Sequence, residues 1–437
     1  MNRTAKNNDT EYCSIAEAAE HLGLSVKIIR RHIASGALAS VKSGNVYRIP
    51  RHIIENFSAK ESRCDNGALC NLFGEPVSVA APPRRGKKSA SRVADNVNWL
   101  EIGGSWDAPQ PSEFTFVDLF CGAGGLSKGL EMAGMEGVCG LDWFMEAAMT
   151  YRRNFHHPLV EGDITMAEVK QRFYDICREG LKGRQLTLIA GGFPCQGFSM
   201  AGNRIVDDPR NSLYRDMLEV VMTLQPLYVV CENVVGLRTM LGGGVERKIL
   251  ADFRAAGYEM NVTTLRAADY CVPQKRDRVI FIGNRIGAVN YHPKPMLSPA
   301  EYVTTGEAIG DLTEHIADEA FNHMPTKHSP EMEARIRAVP EGESLYKGYS
   351  DAWKKCPWDE ASCTIKENHG GVNLHPKLPR VLTAREMARL QSFPDDFIFE
   401  GPKNKQLVQI GNAVPPLLAK AIGLAVIGSL KEYRSVD

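Results

Sequence analysis

Short apolar runs alternate with amphipathic stretches through the middle of the chain. TFVDLF, GVCGLDW, LTLIAGG and LYVVCEN are strand-like, and helical patterning fills residues 126–134, 145–155, 166–180 and 212–224 between them. This alternation predicts an α/β fold: a doubly wound, mainly parallel sheet with helices on both faces. NVTTLRAADYCVPQKRDRVIFIGNR then reads as two strands around a loop at the sheet's edge. Residues 291–378 lose the rhythm and are polar, turn-rich and aromatic. Helical patterning returns in TAREMARLQSFPDDF and in NAVPPLLAKAIGLAVIGSLKEY.

The front of the chain has a different pattern. Ser14 followed by Glu17 is a capping-box signature opening a helix. Gly23 and Ser25 mark a turn and a new N-cap, and Gly36 ends a second helix. Two short helices around a tight turn make the helix-turn-helix pattern. Lys27, Arg30 and Arg31 recur at helical spacing and share much of one face of the second helix. SVKSGNVYRIP reads as a hairpin with Gly44 and Asn45 at its tip, and Pro50 opens a last helix through Phe57. Residues 1–58 resemble an excisionase-like, MerR-type winged helix-turn-helix domain; a small helical domain that binds protein is the alternative. Residues 59–112 include VAAPPRRGKKSASRVADN and read as a basic linker, either a solvated tether or a segment touching DNA phosphates.

Composition narrows the class. With 437 residues, 43% apolar and 24% charged, the chain reads as an ordinary soluble globular protein of several domains. No apolar run approaches the ~18–20 residues of a membrane span. The polar first residues lack a secretory h-region, so a cytoplasmic location is expected. Eleven cysteines are scattered without a CxxC pair, which favours free thiols and predicts no metal site. Net charge is zero, yet residues 1–100 hold 15 Lys and Arg against 9 Asp and Glu, a balance of +6. A basic front on a neutral chain hints at a nucleic-acid contact, or is a solubilising tail.

Candidate chemistry lies where strands end. FVDLFCGAGGLSKGLEMAG reads as a strand, a glycine turn and a helix, in which Gly122, Gly124 and Gly125 permit close ligand approach. The spacing is neither GxGxxG nor a Walker loop, so a nucleotide-like ligand without a phosphate run fits better. Asp142, followed by Trp143, ends a strand where an acid can hold a ribose hydroxyl pair. Asp163 follows the next strand, where a carboxylate can accept from an adenine amino group; for either acid taken alone a helix N-cap is the plainer reading. Cys195 follows LTLIAGG, and Glu232 follows LYVVC. A lone cysteine ordinarily packs inertly. A thiol and a carboxyl group emerging at one carboxyl rim, beside a glycine turn, point instead to chemistry.

These motifs resemble the DNA (cytosine-5) methyltransferase family over residues 114 to about 430. DLFCGAGG, GFPCQGFS, ENVVGL, QKRDRVIFIG, LTAREMARLQSFP and GNAVPPLLAKAIG stand in family order. The resemblance implies a catalytic domain at 113–290, a target-recognition domain at 291–378, and a hinge helix with a return to the catalytic domain at 379–437. It implies Cys195 as nucleophile at cytosine carbon 6 and Glu232 as partner of ring nitrogen 3, which requires a partly protonated carboxyl group. Arg278 is implied at the cytosine carbonyl oxygen, with Arg276 supporting the site. S-adenosyl-L-methionine is the implied cofactor. Its site residues would be Asp118, Phe120, Asp142, Trp143, Asp163, Ile164, Pro194 and Asn412 together with the glycine turn. Double-stranded DNA is the implied substrate, its target base flipped out, with Gln196, Ser199, Arg210 and Thr364 as contacts. In the 291–378 segment Lys354, Lys355, Trp353 and Trp358 are further candidates for DNA contact, with a packed aromatic core the plainer reading of the tryptophans. The biological setting implied is a bacterial, nucleoid-associated enzyme of a restriction–modification system, with a restriction endonuclease as functional rather than physical partner. A tRNA methyltransferase on the same fold, and a helix-turn-helix regulator with a minor catalytic role, are the alternatives.

Overall fold

The computed structural model describes residues 12–14, 17, 18, 21, 41–43, 46–50, 97–102, 113–194, 213–346, 353–366 and 372–436. Two compact units divide the chain, residues 1–70 and 71–437. In the first, β1 (Tyr12–Ser14), β2 (Val41–Ser43) and β3 (Val46–Pro50) form an antiparallel sheet in the order β1-β3-β2. The expected hairpin is therefore present, and β1 adds a third strand. Ser14 N donates to Glu17 Oε2 at 2.7 Å and Glu17 N to Ser14 Oγ at 3.2 Å, the reciprocal capping box expected at this position. Lys27, Arg30, Arg31 and the helix expected after Pro50 lie outside the described residues.

In the second unit, β4 (Asn98–Leu100) precedes β5 (Thr115–Leu119), α1 (Gly125–Met132), β6 (Glu136–Asp142), α2 (Met145–Asn154), β7 (Leu159–Glu161), α3 (Ala167–Leu181) and β8 (Leu188–Gly191). Then come α4 (Leu213–Leu224), β9 (Tyr228–Val234), α5 (Gly236–Thr239), α6 (Gly244–Ala255), β10 (Glu259–Arg266) and β11 (Asp277–Asn284). These strands form a seven-stranded sheet in the order β10-β11-β9-β8-β5-β6-β7, parallel except at β11. The order in which successive strands are added reverses between β5 and β8, the switch point at which such sheets bind ligands.

Central strands are buried on both faces, and alternate residues serve opposite layers. Val117, Leu119, Ile189, Val229 and Cys231 pack with α3, α4 and α6 through Phe173, Cys177, Met217, Val221, Ile249 and Phe253. Phe116, Leu188, Ala190, Val230 and Ile280 pack with Leu126 and Leu130 of α1 on the other face. That second layer is completed from far along the chain. β12 (Tyr291–Pro293), α7 (Thr305–Ile309), α8 (Pro330–Ala338), α9 (Ala384–Leu390) and α10 (Lys403–Asn412) lead to α11 (Pro416–Val436). Leu418, Ala419, Ile422 and Val426 of α11 close the layer over α1. Gly129 makes this approach possible: a Cβ there would stand 2.3 Å from both the Ala419 Cβ and the Pro416 carbonyl oxygen. The segment 403–435 is apolar and long enough to cross a membrane by length and composition, but most of it is buried in this core.

Two details depart from the sequence reading. Residues 98–100, within the expected linker, pair in parallel with 291–293, the first residues assigned to target recognition. A third apolar cluster joins Ile309, Ile336, Leu374, Met387, Phe393 and Phe399 to Cys121, Ala123, Tyr151 and Phe155 around the glycine turn.

Candidate active site

The turn after β5 is shaped by its backbone. Phe120, Gly122 and Gly124 have φ of 57°, 53° and 97°; glycine adopts such angles freely, whereas Phe120 is a non-glycine outlier. Gly125 is required by packing, because a Cβ there would lie 2.2 Å from the Val414 carbonyl oxygen. Asp142, at the end of β6, ties the turn down. Its Oδ2 accepts from Gly122 N and its Oδ1 from Phe144 N, each at 2.8 Å. Burial pushes its pKa up, and these backbone hydrogen bonds oppose the shift. Trp143 beside it is 72% exposed. Asp163 is exposed and its Oδ1 accepts from both Thr165 N and Thr165 Oγ1 at 2.9 Å, while Ile164 is buried.

Asp118 is fully buried. Ser127 Oγ donates to its Oδ2 at 2.6 Å, and its Oδ1 has no hydrogen-bond partner. Burial raises its pKa to about 7; the Ser127 hydrogen bond opposes that and the Asp142 charge adds to it. A buried oxygen left without a donor is a gap that a ligand's N–H group would fill.

On the other side of the switch point, β9 presents Glu232. Its Oε1 pairs with Arg278 Nε at 2.8 Å, and both side chains are largely buried. Register makes this pairing natural, since Ile280 of β11 lies opposite Glu232 and Arg278 two residues away. Gly192 runs against the same carboxylate: a Cβ there would lie 3.0 Å from Glu232 Oε2. Asn233 Nδ2 donates to the Phe193 carbonyl oxygen at 2.9 Å, fixing the chain that leads through the half-buried Pro194. Cys195, Gln196, Ser199 and Arg210 lie outside the described residues. Gly192, three residues before Cys195, is thus held beside Glu232.

Arg276 does something else. It is buried, and its guanidinium donates to the carbonyls of Ile365 at 2.9 Å, Gly411 at 3.0 Å and Ala413 at 3.1 Å. Burial pushes its pKa down, the Arg278 cation adds to that, and Glu232 opposes it. Arg276 is therefore a clamp between three distant segments, with the exposed Asn412 standing between two of its acceptors. Gln274 joins the same junction: its Nε2 donates to the Leu390 carbonyl and Gln391 Oε1, and its Oε1 accepts from Ile365 N. Thr364 Oγ1 donates to the Lys275 carbonyl at 2.8 Å, so its hydroxyl also fastens this loop. The sequence reading missed Asn233 and Gln274. Both stand inside motifs it quoted, next to Glu232 and Lys275, and an amide in a predicted buried strand or loop was the signal.

Among the surrounding residues, Lys355 departs from the sequence reading as a DNA contact. It is buried, and its Nζ donates to the carbonyls of Ile336, Arg337 and Val339 at the C-terminus of α8. Trp358 packs over Gly306 and lies 6.4 Å from the His375 ring, a structural position.

The family model described as C-5 cytosine-specific DNA methylase matches residues 114–428, and a helix-turn-helix domain model matches residues 12–61. The chain is 39% identical over 329 residues to Type II methyltransferase M1.HphI of Haemophilus parahaemolyticus, covering 72% of this chain and 86% of that protein. It is 28% identical over 448 residues to Type II methyltransferase M.Eco47II of Escherichia coli, covering 95% of both. A solved Escherichia coli structure, named as a prophage-encoded DNA modification methyltransferase, aligns with TM-score 0.60 and 27% identity. The match covers 73% of this chain and 99% of that one. Entamoeba histolytica EhMeth shares the fold, with TM-score 0.54 and 15% identity over 73% of this chain and 99% of its own.

Proposed function

Because the chain belongs to the C-5 cytosine-specific DNA methylase family, we propose that it methylates its target through a covalent Cys195 adduct, with Glu232 and Arg278 assisting. The chain is a DNA methyltransferase acting on carbon 5 of cytosine. The observation that carries the mechanism is the Glu232–Arg278 pair at the carboxyl end of β9, with Gly192 packed against it three residues before Cys195.

Cytosine carbon 5 is a poor nucleophile. Addition of the Cys195 thiolate at carbon 6 forms a C–S bond and shifts the ring's electron pair toward carbon 5 as an enamine. Glu232 takes part at ring nitrogen 3, where a proton or a strong hydrogen bond makes that addition easier. Arg278 orients Glu232 and is assigned to the ring carbonyl oxygen. Once carbon 5 carries the methyl group, a base takes its proton, the double bond re-forms, and Cys195 leaves as thiolate. The target carbon lies within a stacked duplex, so the base is flipped out first.

The cofactor residues fit an adenosine-bearing cation. Asp118 Oδ1 is a buried acceptor without a donor, Gly122 has open space where a Cβ would stand, and the Trp143 ring is exposed at the rim. S-adenosylmethionine, when bound, supplies an electrophilic methyl group. We assign Phe120 to adenine stacking, Asp142 and Trp143 to the ribose side, Asp163 and Ile164 to the adenine edge, and Asp118, Pro194 and Asn412 to the methionine end.

The relatives' Type II names support a modification enzyme in a restriction–modification system, working in the bacterial cytoplasm at the nucleoid. A cognate endonuclease would share its DNA site without binding it. The Ser14–Glu17 capping box and the helix-turn-helix match support DNA binding by residues 1–58 through Lys27, Arg30 and Arg31.

The test is bisulfite sequencing of genomic DNA from a methylation-free host expressing the full chain, with Cys195→Ala beside it. Protected cytosines in one short repeated context, absent with the variant, are expected. Equal protection by the variant would refute the adduct.

A further inference from the structure

A continuous hydrogen-bonded chain runs outward from Asp118. Ser127 Oγ lies 2.6 Å from Asp118 Oδ2, Tyr151 Oη 2.8 Å from Ser127 Oγ, and His157 Nε2 2.7 Å from Tyr151 Oη. His157 Nδ1 then lies 3.4 Å from Glu131 Oε1, on the partly exposed side of α1. Asp118, Ser127 and Tyr151 are fully buried, and the His157 ring nearly so. The ring sits over Gly137, where a Cβ would approach within 2.3 Å, and lies edge-on to Phe116. Asp142, the Cys121 thiol and the Tyr151 hydroxyl are the titratable groups acting around Asp118, and Glu131 faces the far end.

Each hydroxyl in this chain has one hydrogen to give, so the donors must all point the same way. With Asp118 ionised, donation runs inward, from His157 Nε2–H through Tyr151 and Ser127 to the carboxylate. With Asp118 protonated, it runs outward and Nε2 becomes an acceptor. We propose that Ser127, Tyr151 and His157 are positioning residues forming a reversible proton relay, in which the cofactor's α-ammonium group, on reaching Asp118, sends a proton outward to His157.

The transfer balances. The Oδ2–H bond breaks and an N–H bond forms at Nε2, while Ser127 and Tyr151 each pass on one proton and receive another. Asp118 ends ionised beside the ligand cation through its otherwise unpartnered Oδ1. His157 ends with a donor at each nitrogen, Nδ1–H facing Glu131. Two features favour such exchange. Burial raises the Asp118 pKa to about 7, so both of its forms are accessible near neutrality. Burial also keeps the Tyr151 hydroxyl protonated, so it remains a link and not a charge.

The inference rests on the cofactor site proposed above. The full chain carrying nitrogen-15-labelled histidine is titrated near neutral pH with two ligands. S-adenosylhomocysteine carries the α-amino group, and methylthioadenosine lacks the whole amino-acid arm. His157 Nε2 is followed by NMR and assigned with His157→Gln. S-adenosylhomocysteine is expected to convert Nε2 from acceptor to N–H donor; methylthioadenosine is expected to leave it unchanged. Tyr151→Phe should bind S-adenosylhomocysteine yet lose the Nε2 response, and Ser127→Ala serves as the second break should Tyr151→Phe fail to fold. Saturated binding with an unmoved Nε2, an equal response to methylthioadenosine, or an intact response in a relay variant each overturns the relay. Absence of S-adenosylhomocysteine binding by calorimetry removes the cofactor assignment itself, and the relay with it.

Discussion

Arg276→Met tests whether one buried cation holds the segment around Ile365 and the C-terminal return at 411–413 against the sheet. The wild-type guanidinium donates to three carbonyls, those of Ile365, Gly411 and Ala413, at 2.9 to 3.1 Å. A hydrogen bond in a folded protein contributes about 1 kcal/mol net, and an acceptor left buried without a partner costs somewhat more. Three such losses sum to about 3–5 kcal/mol. Removing the charge also relieves its desolvation, evident in the downward pull on its pKa, so a net loss of about 2–4 kcal/mol is expected. That lies within the 5–15 kcal/mol total of an ordinary domain, so the variant should fold. Asn412 stands between two of the released carbonyls, and S-adenosylhomocysteine affinity should fall about tenfold, equivalent to about 1.4 kcal/mol. Urea unfolding followed by tryptophan fluorescence reads the first quantity and calorimetric titration the second. Arg276→Lys should recover only part of either, because an ammonium cannot reproduce the planar fork. A stability change under about 0.5 kcal/mol with unchanged affinity would refute the clamp.

Other outcomes follow from single contacts. Gly129→Ala should destabilise the fold by about 1–3 kcal/mol in thermal or urea unfolding, since its Cβ would overlap Ala419 and the Pro416 carbonyl. Lys355→Met should leave DNA affinity and its salt dependence unchanged in a binding titration, because the wild-type ammonium is committed to the end of α8. His375 is buried, which holds its pKa down at about 4, whereas an unfolded histidine titrates near 6.5. The unfolded chain therefore binds the proton first, so this contribution is complete above about pH 6.5 and lost as pH falls toward 4, by up to about 3 kcal/mol. His375→Asn preserves an acceptor for Lys377 N and Leu378 N and should remove that part of the slope in unfolding curves across this range.

Local patterning made the sheet readable. The four strand-like runs and the helices between them lie within a few residues of the observed β5, β6, β8 and β9 and of α1 to α4, because buried parallel strands and amphipathic helices leave distinct periods. The Ser14–Glu17 box was legible for the same reason: both of its hydrogen bonds span three residues. What could not be read depends on distance along the chain. The 98–100 strand exists through its pairing with 291–293, and nothing in NWL alone announces it. Arg276 carried a motif but not its acceptors, which come from residues 365 to 413. Lys355 looked like a surface cation because its sequence neighbourhood is charged, yet three helix-end carbonyls draw it inside. The Tyr151–His157 contact spans a helix end, and neither residue stands in a recognisable motif.

The packing of α11 on α1 has a consequence for synthesis. During translation, the β5 turn leaves the ribosome roughly 300 residues before its covering helix, a delay of about 15–60 s at usual elongation rates. Until then Leu126 and Leu130 lack the residues that cover them, and Gly125 lacks the Val414 carbonyl that defines its side of the turn. A nascent chain stalled between residues 200 and 414 would carry the GFPCQGFS motif with an incomplete pocket. Methylating competence therefore arrives late and at once, when α11 closes over α1.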